Sequence, residues 1–433
     1  MKTKSLQLEF DKGANEMSSI AVLGCIWGDE AKAKIVDVLA ENAEIVVRFQ
    51  GGNNAGHTIN LNGKKYVFHL VPAGILYPDK MCALAAGVVI DPFDLIQEIN
   101  NLKKQGISFE GRFFLDPRTS IVLPLHKYLD VKAENGSRQT KIGTTKKGIG
   151  PCYSDKIART GICFSDLFDQ EYLTNRLENI YSSHRLPVTE IKPLLADLMK
   201  TGEELKPFLK QLSYFLNELY GQNKNILFEG AQGSLLDIYF GTYPFVTSSH
   251  TIAGGISVGC GFSPKKIDRI VGVYKSYFTR VGEGPFPTEL TDETGEKIRI
   301  RGNEFGATTG RPRRCGWFDV VAAKYTAMIN GIDEIALTLL DVLSGFETIK
   351  VCTKYLSGNE KTEEFPFNAK IMEEIQPEYI ELPGWKEDIT EVKNYEQLPI
   401  NAKKYISKIE ELLNKKISII SVGPERRQTI IMD

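Results

Sequence analysis

Residues 18–34 read SSIAVLGCIWGDEAKAK, a short apolar run that ends at Gly28-Asp29-Glu30 and opens a helix carrying Lys32 and Lys34. Helix N-terminal N–H groups attract anions and a lysine there adds a point charge, so the arrangement suits phosphate. Asp29 at the same place would repel phosphates and needs a reason of its own, holding Mg²⁺ or removing a proton. The segment VVRFQGGNNAGHT (46–58) continues the theme. Its glycines permit close backbone approach to a ligand, its asparagines offer amides, and His57 is one of only five histidines in the chain. The first motif is not a Walker A loop, because no hydroxyl follows Lys32 or Lys34. Alone, GDEAKAK is equally the charged first turn of an ordinary helix; the Gly/Asn loop with its histidine shifts the balance toward chemistry.

Further polar loops follow. GTTKKGIGP (143–151) and the VTSS that ends at Ser249 supply hydroxyls and N–H groups suited to phosphate or carboxylate, although the same residues make ordinary turns. GATTGRPRR packs Thr308, Thr309, Arg311, Arg313 and Arg314 into one short loop, and arginine forks bind carboxylates and phosphates bidentately. Asp341 follows the apolar run ALTLL, at a strand's carboxyl end, where it reads a base or a metal or merely caps the next turn.

These loops need a frame to hold them. Apolar β-branched runs recur at IAVLG (20–24), EIVVRF (44–49), KYVFHL (65–70), ILFEG (226–230), RIVGVY (269–274), EIALTLLDVL (334–343) and ISIISVG (417–423). Amphipathic stretches lie between them, including IVDVLAEN (35–42), DLIQEINNLKKQG (94–106), LKPFLKQLSYFLNELYG (205–221) and KYISKIEELLNK (404–415). Buried strands alternating with helices indicate an α/β fold with a largely parallel central sheet flanked by helices, and ligand sites in such sheets lie beyond the strands' carboxyl ends. Residues 1–17 form an extension, with Met17 a candidate alternative start, and 18–433 form one α/β domain with long functional loop insertions. The 433 residues carry a net charge of −2, which gives no sign of nucleic-acid or anionic-membrane binding. Seven scattered cysteines without a C-x-x-C pair indicate reduced thiols, and no run is apolar enough to span a membrane. The chain reads as a cytoplasmic protein that binds neither nucleic acid nor membrane.

Taken together, WGDE-x-K-x-KIVD, GG-x-NAGHT, GTT-x-x-GIGP, FEGAQG-x-LLDI-x-x-GTYP-x-VTSS, TRVG-x-GPFPTE, NEFGATTGR-x-RR-x-GW-x-D and LDVL closely resemble the adenylosuccinate synthetase family, from about Ile20 to the C-terminal SVGPERRQTI. The resemblance implies a P-loop-related homodimeric ligase. It joins IMP to L-aspartate, using GTP and Mg²⁺, through a 6-phosphoryl-IMP intermediate, in the first committed step of AMP synthesis. It implies catalytic roles for Asp29, His57 and Gln232. GTP falls to Gly28, Glu30, Ala31, Lys32, Ala33, Lys34, Gly56, Thr58, Asp341, Ser421 and Gly423. IMP falls to Asp29, Asn54, Thr145, Gln232, Thr247 and Arg311, with Arg159 reaching the IMP phosphate from the partner subunit. L-Aspartate falls to Val281, Thr308, Thr309, Arg311 and Arg313, and Mg²⁺ to Asp29 and the Gly56 carbonyl.

Four positions depart from the family pattern. Ala31 and Ala33 stand where glycines are usual; a helical alanine is favoured by about 1 kcal/mol, whereas one forced to positive φ costs about 1–2 kcal/mol. Asn53 replaces a histidine, Pro312 stiffens the arginine loop, and Leu339 replaces a lysine that packs beside guanine. The alternatives are a divergent ligase with another purine monophosphate or nucleoside triphosphate, and a silent nucleotide-binding relative. Retention of Asp29 and His57 favours an enzyme.

Overall fold

In a computed structural model the chain is described from residue 19 to residue 432, apart from 55, 62, 63, 137–140, 307–309 and 359; at 57, 58, 60, 61, 64 and 65 only the backbone is described. The expected extension 1–17 lies outside the described residues.

Nine strands build the central sheet: β1 (Ser19–Gly24), β2 (Ile45–Arg48), β3 (Met81–Leu84), β4 (Phe113–Leu115), β5 (Ile226–Glu229), β6 (Arg269–Lys275), β7 (Glu334–Thr338), β8 (Lys416–Ser421) and β9 (Thr429–Ile431). Their order is β9-β8-β7-β6-β1-β5-β2-β3-β4. Every pairing is parallel except that of β8 with β9. β1 lies at the centre, with Val22 opposite Val271 on one side and Glu229 on the other.

Alternation along the strands decides which helices cover them. Ala21, Leu23, Ile45, Val47 and Phe228 face one way. Val22, Val46, Leu227, Val271 and Val273 face the other. The helices are α1 (Lys32–Ala40), α2 (Pro92–Lys104), α3 (Pro124–Asn135), α4 (Ile149–Ala158), α5 (Gln170–Ser183), α6 (Ile191–Leu205) and α7 (Leu212–Gly221), followed by several more, including Val320–Asn330 and Ile400–Leu413. α7 covers the first face through Leu212, Leu216 and Leu219. α1, α2, α5 and α6 cover the second. Because both faces are covered, the inner strands read as near-continuous apolar runs.

Two runs fold differently from expectation. KYVFHL contributes a strand, Lys64–Phe68, but it pairs antiparallel with His57–Leu61 in a separate hairpin. LKPFLKQLSYFLNELYG is not one helix: α6 ends at Leu205, a 3₁₀ turn spans Lys206–Phe208, and α7 begins at Leu212. Pro207 lacks the N–H that continued α-helix requires. A smaller sheet, built on Thr348–Ser357 paired with Gln376–Pro383, stands apart from the central one. Among the described residues no helix is long and apolar enough to cross a membrane. All seven cysteines are free.

Candidate active site

The segments that leave the carboxyl ends of β1, β2, β5, β6, β7 and β8 surround one cavity of about 960 Å³. After β1 the chain turns sharply, with Gly28, Asp29 and Ala31 at φ 85°, 61° and 60°. Glu30, fully buried, organises this turn from inside: its Oε1 accepts the N–H groups of Ile26 (3.1 Å) and Gly28 (2.9 Å). Its Oε2 takes the Lys32 ammonium. Both carboxylates of the turn line the cavity, but Glu30 is spent on these bonds and Asp29 is the more exposed of the two. The alanine question divides: Ala31 is the left-handed N-cap of α1, whereas Ala33 lies inside the helix, buried.

Asp29 is not alone. Arg313 Nε donates to Asp29 Oδ2 at 2.8 Å and its Nη1 donates to Glu304 Oε2 at 2.6 Å. Glu304 also receives the Lys275 ammonium at 2.7 Å. Burial pushes the Asp29 carboxyl upward, but Arg313, Lys275 and Lys32 outweigh it and hold it below the usual carboxylate range. The side chain keeps 32% exposure. It therefore stands at the cavity wall as an ionised carboxylate.

Across the cavity, Gln232 adopts φ 56° after β5. Its Nε2 donates to Asn54 Oδ1 at 3.2 Å, while its own Oε1 is buried with no partner. An orphaned acceptor there suits a ligand donor. Arg311 Nη2 donates to the Gly143 carbonyl at 2.9 Å, tying the arginine loop to the loop that carries Thr145. Thr145, Thr247, Val281, Gly56 and Asn54 all line the same cavity.

At the far end, Leu339 leaves β7 at φ 56° and Asp341 sits on the 3₁₀ turn Leu340–Leu343. Asp341 Oδ1 is buried without a hydrogen-bond partner, and burial raises the carboxyl above its ordinary range although Lys34 pulls it back. Lys34 lines the cavity, but its ammonium donates to Ser421 Oγ (2.7 Å), Gly423 O (2.7 Å) and Gln428 O (2.9 Å). Those three bonds lace the segment after β8 to α1 and leave Lys32 as the lysine at the turn. Burial brings Lys34 down to about 7 against the opposing pull of Asp341 and Asp37.

Arg159 does not join this group. It is exposed at the C-cap of α4 and lies outside the cavity of its own chain. Thr308 and Thr309 fall outside the described residues, as do the side chains of His57 and Thr58, whose backbone is in the hairpin strand His57–Leu61. Lys275 lies outside the quoted motifs, and Glu304 and Arg280, inside NEFG and TRVG, received no role from them. Lys275 ends the strand directly after the run Ile270–Tyr274, a signal that was available. Arg280 lies over the Trp27 ring at 4.9 Å and donates to Phe245 O, bracing the loop that carries Val281; burial lowers its guanidinium to about 9.

The chain matches the family model of adenylosuccinate synthetase over residues 21–430. An adenylosuccinate synthetase of Alkaliphilus metalliredigens is 49% identical, covering 96% of this chain and 99% of the relative. That of Thermodesulfovibrio yellowstonii is 47% identical with the same coverage. The solved structure of a fully ligated adenylosuccinate synthetase from Plasmodium falciparum superposes with a TM-score of 0.91 at 41% identity, covering 96% of this chain and 99% of that one. A cyanophage succinoaminodeoxyadenylate synthetase shares the fold, with a TM-score of 0.64 at 18% identity. The chain belongs to the adenylosuccinate synthetase family.

Proposed function

We propose that this cavity joins IMP to L-aspartate at the expense of GTP, with Asp29 as the base that starts the reaction. GTP-dependent ligation of IMP and L-aspartate is the activity of the family to which the chain belongs, matched over residues 21–430. The observation that carries the assignment is the ionised Asp29 carboxylate, facing the cavity at the head of α1 and held by Arg313.

Asp29 takes the proton from N1 of IMP, and the released electron pair makes the 6-oxygen a nucleophile. That oxygen attacks the γ-phosphorus of GTP and GDP leaves, assisted by His57. The L-aspartate amine then attacks C6, phosphate departs with the former 6-oxygen, and the amine gives up a proton. Turning a poor leaving oxygen into phosphate is what GTP supplies.

The N–H groups of the turn from Gly28 to Ala33, with Lys32 and Thr58, hold the GTP phosphates. Asp341, Ser421 and Gly423 hold the guanine end. Asn54, Thr145, Gln232, Thr247 and Arg311 hold IMP, and Arg159 reaches its phosphate across a homodimer. Val281, Thr308, Thr309, Arg311 and Arg313 take L-aspartate. Arg313 uses Nε for Asp29 and Nη1 for Glu304, and its remaining N–H donors meet a substrate carboxylate. Mg²⁺ is held by one or two protein oxygens plus substrate phosphates, and Asp29 and Gly56, both on the cavity wall, offer such a set. When bound, the ion neutralises charge developing on the phosphates. The protein works in the cytoplasm.

The route is tested with IMP carrying a heavy oxygen isotope at its 6-position. The label is expected in inorganic phosphate. Label recovered in water, with unlabelled phosphate, would overturn the phosphorylated intermediate.

A further inference from the structure

One carboxylate outside the cavity gathers three side chains from different elements. Asp155 lies in the last turn of α4, buried. His126 Nε2 from α3 stands 3.0 Å from its Oδ2. His184 Nε2, at the C-cap of α5, is 2.9 Å from Oδ2 and 3.0 Å from Oδ1. Thr160 Oγ1 donates to Oδ1 at 3.0 Å. The proton on His126 is fixed by its other nitrogen: Nδ1 accepts the Leu123 N–H at 2.9 Å, so Nε2 carries the hydrogen and donates to Asp155. Burial favours that neutral imidazole.

The backbone around Asp155 is equally constrained. Its carbonyl accepts the N–H groups of Thr160 and Gly161, each at 3.0 Å, closing the end of α4. Arg176 of α5 donates to the carbonyls of Arg159 and Gly161. At the other end of α4, Asp130 of α3 accepts the Gly148 N–H at 2.9 Å. Helices α3 and α5 thus fix α4 along its length. The first turn of α4, at Ile149, Gly150 and Pro151, lines the cavity. Its far end presents Arg159 to solvent at φ 65°, a conformation that a non-glycine residue keeps only where its surroundings enforce it.

We propose that the His126–Asp155–His184 clamp positions Arg159 for the 5′-phosphate of IMP bound in the partner subunit's site. The inference rests on reading Arg159 as a residue that acts across the dimer. The clamp touches no substrate; it acts through the helix end, so His126, Asp155 and His184 are positioning residues. Removing His184 frees one arm and lets the end of α4 turn, which weakens a contact that depends on a fixed guanidinium.

The test compares KM for IMP in the dimeric enzyme. His184→Ala should raise it about tenfold, the scale expected when a binding group is displaced by a fraction of an ångström. KM for GTP and the melting temperature should stay near wild type. His184→Gln retains an N–H donor and should stay within about twofold of wild type. Arg159→Leu serves as the reference and should raise KM for IMP at least as far. Should His184→Ala not fold, Thr160→Val removes only the hydroxyl arm and should raise KM for IMP in the same direction.

Subunit mixing adds a readout that general loosening would not move. His184→Ala subunits mixed with excess Asp29→Asn subunits form hybrids with one competent site, and Arg159 reaches that site from the subunit whose clamp is intact. KM for IMP should return to the wild-type value. A KM that stays raised in these hybrids would overturn the proposal, as would an unchanged KM in His184→Ala alongside a raised one in Arg159→Leu. An unchanged KM in Arg159→Leu would instead overturn the reading of Arg159 itself and take the clamp's role with it.

Discussion

Arg313 and Asp29, 284 residues apart in sequence, meet through a 2.8 Å hydrogen bond at the mouth of the β1 turn. The contact helps set the charge of the carboxylate proposed to remove a proton. Burial alone would favour the neutral acid, which is useless as a base, and the guanidinium is the largest of the effects that reverse this.

A pH profile follows from that balance. Activity requires the carboxylate, so the acid limb of kcat/KM for IMP reports its titration. In wild type that limb should lie below the ordinary carboxylate range. In Arg313→Gln burial is less opposed, the Asp29 carboxyl rises, and the limb should move to higher pH. The comparison is made at saturating L-aspartate, because Arg313 is also assigned to that substrate. An unmoved limb would mean that Arg313 does not control Asp29.

The two alanines of the phosphate turn should respond in opposite directions. Ala31 is left-handed, where an L-residue costs about 1–2 kcal/mol; Ala31→Gly relieves that strain, which exceeds the roughly 0.4–1 kcal/mol of added freedom in the unfolded chain, and should stabilise the protein. Ala33 is helical and buried, and Ala33→Gly should cost about 1 kcal/mol. Denaturant unfolding of the pair checks the sign. Equal destabilisation would contradict the assigned backbone conformations.

Much of this site was legible because glycine, acid, lysine and arginine at strand ends leave a readable pattern. Asp29, Lys32, Asn54, Gln232 and Asp341 all face one cavity, as their motifs indicated. What the motifs hid was pairing: nothing in GDEAKAK shows that Glu30 turns inward onto the N–H groups of its own turn, and the partner that Lys34 binds after β8 lies 389 positions away at Gly423. Strand alternation in KYVFHL was real, but period two says nothing about which sheet a strand joins. Edge strands such as Phe113–Leu115 are too short to stand out, and Val320–Asn330 is apolar on nearly every side, so neither carries a clear periodic signal.

Asp319 offers a stability test away from the site. It caps the helix Val320–Asn330 by accepting the Ala322 N–H at 3.1 Å, and it accepts the Tyr355 hydroxyl at 2.5 Å. Burial raises its carboxyl to about 6 from an ordinary value of 3.8. The folded state therefore binds this proton more tightly than the unfolded state. Its contribution grows as pH falls from above 6 toward 3.8, and is absent at neutral pH. The full effect is on the order of 3 kcal/mol. Asp319→Asn keeps an acceptor for Ala322 without a charge. It should be more stable than wild type at neutral pH and lose this part of the pH slope. A less stable variant at neutral pH would contradict the argument.

In the proposed reaction base selectivity is assigned to Asp341, whose buried Oδ1 has no hydrogen-bond partner. Guanine offers N1–H and a 2-amino group, whereas adenine presents an acceptor that faces the carboxylate unfavourably. Leu339 keeps the apolar packing of a lysine stem without its ammonium. Wild type should therefore prefer GTP to ATP in kcat/KM, and Leu339→Lys should lower KM for GTP, by up to about 1.5–3 kcal/mol if the restored contact is desolvated. A wild-type preference for ATP would favour the divergent-ligase alternative.

Proton removal by Asp29 is the step on which the proposed reaction depends, and Asp29→Asn probes it. Asparagine is well tolerated at φ 61°, so the turn should keep its shape. Turnover from IMP, L-aspartate and GTP is measured together with the dissociation constant for IMP. The expected result is a fall in kcat of about 10²–10⁴-fold with IMP affinity nearly unchanged. Near-normal turnover, or a loss of activity fully matched by a loss of IMP binding, would contradict it.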